Sequence, residues 1–142
     1  MEKILVSACL LGISCRYDGK SKPNEGVIAL KSKYELIPVC AEVLGGLPTP
    51  RIGAEIVGDR VLRADGVDVT ENYNIGAKRV LEIARKNNCK IAILKSKSPS
   101  CGKNKIYDGT FTRTLTERNG ILAELLINND IVVFDETEID NL

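Results

Sequence analysis

The chain of 142 residues contains no histidine and no tryptophan, only two phenylalanines and a single methionine. Without histidine it has no side chain whose ordinary pKa lies near neutrality, and it lacks the commonest nitrogen ligand for metals. Ser-His and Cys-His nucleophilic pairs and Cys₂His₂ zinc sites are therefore excluded. Proton transfer must fall to Glu, Asp, Lys, Tyr, Ser or Cys. No apolar run approaches the ~20 residues of a membrane-spanning helix. The first residues lack the basic region, apolar stretch and small-residue cleavage site of a signal peptide, so a cytoplasmic protein is expected. CxxC, GxGxxG and GxxxxGK(S/T) patterns are all missing, which removes the commonest paired-thiol zinc and nucleotide fingerprints. A net charge of +1 gives no overall field for nucleic acid or a membrane surface.

What is present is ordinary in bulk. Hydrophobic residues make up 44% and charged residues 27%, which fits one soluble domain over residues 1–142 with a core of its own. Four short apolar runs, Ile4-Leu5-Val6-Ser7-Ala8, Leu36-Ile37-Pro38-Val39, Ile91-Ala92-Ile93-Leu94 and Ile131-Val132-Val133-Phe134, alternate with helical patterns. This predicts an α/β class: a single domain with a Rossmann-like, mainly parallel sheet flanked by helices. A short helix is expected from about Glu25 to Lys33, and Thr70 is expected to cap a long one from about Glu71 to Asn87. Ile56-Val57-Gly58-Asp59-Arg60-Val61-Leu62 reads as a small β-hairpin insertion. The stretch after Cys40, with Gly45-Gly46 and Pro48-Thr49-Pro50, reads as a shaped loop, and 102–114 as a polar flap. A last helix is expected to start at Thr116, with Ile121, Leu122, Leu125 and Leu126 facing inward.

Five cysteines, at 9, 15, 40, 89 and 101, are many for a reducing compartment, and an odd number. Disulfides do not persist there, so metal binding or catalysis competes with plain packing. Cys9 and Cys40 each follow a predicted strand, and Cys101 closes the turn Ser98-Pro99-Ser100-Cys101 just beyond a third. In a parallel sheet the ligand crevice lies outside the carboxyl ends of the strands, so these three thiols form a candidate metal site. Cys89 sits at the opposite end of its strand and is read as core. Cys15, six residues after Cys9, fits either reading. Scattered thiolates without CxxC suit an iron–sulfur cluster as well as a metal ion; three would leave one iron open as a Lewis acid.

Glu42 is the carboxylate nearest these thiols in sequence and becomes the candidate proton carrier. Ser98, across the turn from Cys101, is the candidate for positioning water or substrate, and the turn is expected to point Ser100 away from Cys101. Lys20, Lys22, Arg51, Lys95, Lys97, Lys103 and Lys105 fall in loops at the strand ends; they form a solvated rim or steady an anionic centre or a phosphate.

The motifs Ala8-Cys9-Leu10-Leu11-Gly12, Cys15-Arg16-Tyr17-Asp18-Gly19, Pro38-Val39-Cys40-Ala41-Glu42, Gly45-Gly46-Leu47-Pro48-Thr49-Pro50-Arg51 and Ser98-Pro99-Ser100-Cys101-Gly102, in this order, resemble the thiouracil desulfidase family. The resemblance implies a [4Fe-4S] cluster held by Cys9, Cys40 and Cys101, a cofactor that aerobic preparation can strip. It also implies removal of sulfur from thiouracil or a related thionated pyrimidine, with Glu42 and Ser98 as the family's catalytic glutamate and serine. The family carries proline where this chain has Ala41. Desulfuration of a thiolated nucleotide in tRNA, a non-catalytic cysteine-ligated metal or redox sensor, and a metal-free binding domain are the competing readings.

Overall fold

A computed structural model describes residues 1–142. Four strands, β1 (Glu2–Ser7), β2 (Tyr34–Val39), β5 (Ile91–Leu94) and β8 (Val132–Asp135), form one sheet in the order β2-β1-β5-β8, every neighbouring pair parallel. In β1 successive side chains point to opposite faces, and Ile4, Leu5 and Val6 are all fully buried, so both faces are covered. Leu5 and Leu94 pack with Ala77, Val80, Leu122 and Leu126 of α3 (Thr70–Lys86) and α4 (Ile121–Asn128). Ile4, Val6 and Ile93 pack on the other side with Leu10, Val27 and Leu30, the last two from α1 (Glu25–Ala29) and the 3₁₀ turn that continues it. The chain leaves β1 for β2 on one side and reaches β5 on the other, which makes β1 the switch point of the sheet.

Two antiparallel pairs lie outside this sheet: β3 (Ala54–Val57) with β4 (Arg60–Arg63), the predicted hairpin, and β6 (Lys105–Tyr107) with β7 (Leu115–Glu117). The second pair corrects two expectations. The flap carries a strand, and Thr116 lies in β7; the last helix starts only at Ile121, where Gly120 N–H bonds the Gly102 carbonyl and sets its origin. Thr70 does not cap α3. It is the first helical residue, and its Oγ1 accepts the Val61 N–H at 2.8 Å, tying the helix to β4. The segment after Cys40 also holds a short helix, α2 (Ala41–Leu44). It packs backbone to backbone on α3: a Cβ at Gly76 would run into the Ala41 carbonyl, and one at Gly45 into that of Asn72. The Asn72 side-chain amide donates to the Gly45 carbonyl at 2.9 Å and locks the contact.

Candidate functional site

The carboxyl ends of β1, β2 and β5 open into a cavity of about 430 Å³. Ser7, Cys9 and Cys15 enter it from β1 and the loop beyond, Cys40 and Glu42 from the end of β2, and Lys95, Ser98 and Cys101 from the end of β5. Arg51, Tyr73, Tyr107 and Phe111 are among its other lining residues. The sheet's hydrogen-bond register fixes this arrangement, because Ser7 pairs with Val39 in adjacent parallel strands and the next residues leave at one edge. Cys9, Cys40 and Cys101 therefore share one cavity, and Cys15 stands between Cys9 and Cys40, its thiol interacting with both. The Cys40 thiol reaches the Cys15 carbonyl at 3.8 Å. All five cysteines are free, and Cys89 lies in the core beside α3 and α4, away from the cavity. No three Cys, Asp or Glu side chains are placed to hold a single metal ion.

Cys40 is raised above the ordinary thiol range by its bond to Cys15 and then by burial. Burial pushes the Cys101 thiol up to about 12, against the opposing effect of Ser7. Thiolates at these positions need a positive centre to compensate them.

Glu42 and Arg51 form a buried ion pair, with side chains 14% and 7% exposed. Arg51 Nε donates to Glu42 Oε2 at 2.9 Å and Nη2 donates to the same oxygen, so Oε1 has no protein hydrogen bond. Nη1 donates to the Pro48 carbonyl at 3.1 Å and to Thr49 Oγ1 at 3.2 Å, which orients the guanidinium. Burial works against the Arg51 charge and Glu42 outweighs it, so its pKa is raised. Tyr73 from α3 is 3% exposed and borders the same carboxylate; burial and then Glu42 hold its phenol protonated well above the usual range.

Ser98 lines the cavity, but its Oγ accepts the N–H of Ser100 at 3.1 Å and of Cys101 at 3.0 Å. It thus shapes the turn that presents Cys101, as serine does in such turns. Ser100 is not turned away, as expected, but buried beside Cys101. The predicted basic rim divides. Arg51 and Lys95 are committed to Glu42 and Glu136, while Lys22 and Lys97 border the cavity without a carboxylate partner. Lys20, Lys103 and Lys105 do not line it.

Residues 4–138 match the family model described as 2-thiouracil desulfurase. The chain belongs to that family. Two relatives are similar to it over nearly their whole length. This chain is 39% identical to the uncharacterized protein YbbK of Bacillus subtilis (strain 168), covering 98% of this chain and 99% of that one. A solved structure of a [4Fe-4S]-dependent thiouracil desulfidase, TudS, is 41% identical, with a TM-score of 0.94 over 100% of this chain and 95% of the other. The parallel four-stranded sheet and its flanking helices are thus the fold of the 2-thiouracil desulfurase family.

Proposed function

We propose that the protein is a [4Fe-4S]-dependent desulfidase that converts a thionated pyrimidine such as 2-thiouracil to its oxo form and releases sulfide. The observation that carries this is the gathering of Cys9, Cys40 and Cys101 around one cavity that also contains the Glu42–Arg51 pair. The donor set fits an iron–sulfur cluster: Cys9, Cys40 and Cys101 border one cavity and the chain has no imidazole. Cys9, Cys40 and Cys101 would hold it. When bound with three cysteines, such a cluster supplies one iron free of protein ligands, a Lewis acid toward the sulfur of the substrate.

The remaining work belongs to side chains. Glu42 accepts a proton from the attacking water, using the Oε1 that Arg51 leaves free. Arg51 holds that carboxylate in place. Tyr73, kept protonated, borders the same carboxylate. Ser98 has its oxygen engaged by two N–H groups, so its own hydrogen is available to a substrate carbonyl or ring nitrogen. Water adds at the thiocarbonyl carbon, a C–O bond replaces the C–S bond, and sulfur leaves with two hydrogens as hydrogen sulfide. Oxidation state is unchanged, so no electron donor enters. The unpaired Lys22 and Lys97 at the cavity favour, as a second reading, a substrate bearing phosphate, up to a thiolated nucleotide in tRNA. Five free thiols accord with a reducing cytoplasm.

The test is anaerobic reconstitution followed by assay of sulfide released from 2-thiouracil. Wild type should hold iron and sulfide in equal amounts and turn over. Glu42→Gln should keep the metal and lose about 10²–10⁴-fold in kcat. Wild-type rates in Glu42→Gln would remove Glu42 from the mechanism, and a protein that takes up zinc alone would sink the proposal.

A further inference from the structure

Ser100 Oγ is the one buried side-chain oxygen or nitrogen in the molecule without a hydrogen-bond partner. The residue is 1% exposed, and its hydroxyl lies against the neighbouring Cys101 thiol. An orphaned buried hydroxyl is costly and rare, and where it persists it marks a partner that the bare polypeptide does not supply. A neutral thiol is a weak acceptor, whereas a metal-bound thiolate carries the charge and lone pairs to accept strongly.

A second hydroxyl converges on the same sulfur from a different strand. Ser7, 3% exposed at the end of β1, donates to Cys101 Sγ at 3.4 Å. Its Oγ also accepts the Lys95 N–H, at the end of β5, at 2.9 Å. Accepting from an amide polarises the O–H that faces the sulfur. The chain therefore brings two buried hydroxyl donors to one cysteine. Ser98 Oγ meets the backbone of this turn instead, accepting the N–H of Ser100 and Cys101.

We propose that Ser7 and Ser100 are paired hydrogen-bond donors to the Cys101 sulfur once it binds iron, positioning residues that draw charge from that thiolate and set the electronics of the cluster. This rests on the iron–sulfur reading of the site. Hydrogen bonds to cluster sulfurs favour the more negatively charged, reduced state and raise the reduction potential. They also leave the iron more electron-poor, hence more polarising toward a substrate sulfur.

Ser7→Ala, Ser100→Ala, Ser7→Thr and Ser100→Thr, each with and without metal, make the test. In metal-free protein Ser100→Ala should match or exceed wild type in urea stability, because only an unsatisfied hydroxyl is removed. In reconstituted protein both alanine variants should show a lower reduction potential and lose the D₂O sensitivity of the Fe–S(Cys) stretching bands. They should also release iron to a chelator about 10-fold or more faster than wild type. The threonine variants, which keep the hydroxyl, should move back toward wild type. Ser7→Ala carries the same measurements from β1 if Ser100→Ala cannot retain a cluster. Wild-type potential and D₂O-sensitive bands in both alanine variants would overturn the inference while leaving the iron–sulfur site intact. Failure of the wild type to assemble any cluster overturns the inference together with the site.

Discussion

Replacing Arg51 by methionine strips the partner from a carboxylate that is only 14% exposed, while the lost guanidinium is itself 7% exposed. Both groups are well inside, so little solvent screening applies. Stranding one member of a buried, hydrogen-bonded pair costs ~3–5 kcal/mol. Against a total of ~5–15 kcal/mol for a domain, that is a fifth or more of the stability. At ~2–4 °C per kcal/mol for a chain of this size, Tm should fall by roughly 6–20 °C. Urea unfolding followed by far-UV circular dichroism measures it, since the chain has no tryptophan to report by fluorescence. The second arm is the double variant Arg51→Met with Glu42→Leu, which removes both charges and keeps approximate volume. It should recover most of the loss, because apolar replacement of a buried pair is often neutral or stabilising. It should still be inactive, because Glu42 is gone. A single-variant cost below ~1 kcal/mol would place the pair with surface bridges of little consequence and refute the reasoning. So would a double variant no better than the single one, which would shift the cause from stranded charge to lost packing.

Further predictions concern the fold, the ligand set and pH. Gly76→Ala should cost ~1–3 kcal/mol in urea unfolding, as overpacking that pushes α2 off α3, and a loss too small to resolve would mean the two backbones have slack. Cys9→Ser, Cys40→Ser and Cys101→Ser should each lose bound iron while Cys15→Ser keeps it, as metal analysis after anaerobic reconstitution will tell; iron lost from Cys15→Ser but kept in one of the others would redraw the ligand set. Burial pushes Glu136 up, yet the Lys95 ammonium and the Ser96 N–H outweigh it and hold its carboxyl below the usual range. A lowered folded pKa gives stability that is present above the unfolded value of ~4.3 and fades as pH falls through the folded one, so Glu136→Gln should flatten the acid side of the stability–pH curve. An unchanged acid limb would remove Glu136 from the account.

The central strands were legible because each is buried on both faces and reads as an unbroken apolar run; β1 and β5 need no tertiary information to be seen. Helix α3 was legible through Tyr73, Ala77, Val80, Leu81 and Ala84 on one face. Other elements are set by partners distant in sequence. Helix α2 spans only Ala41–Leu44 before two glycines, and it is held by contact with α3 rather than by local preference. Strand β7 is exposed throughout and exists because β6 pairs with it, so its Thr-containing sequence imitated a helix start. At the site, the cavity-lining positions of Cys9, Cys40 and Cys101 follow from topology and could be read from strand ends alone. The pairing of Glu42 with Arg51 and the convergence of Ser7 with Ser100 on Cys101 could not, because nothing local marks Arg51 as buried or distinguishes Ser100 from a solvated turn residue.

The cavity draws its walls from residues as far apart in sequence as Ser7 and Phe111. During synthesis the amino-terminal thiols leave the ribosome long before Cys101 does, and a chain at that stage offers no enclosed chamber. The three thiols can therefore meet only after Cys101 has been made, and a truncation that removes β5 and the turn beyond it leaves Cys9 and Cys40 without their third neighbour.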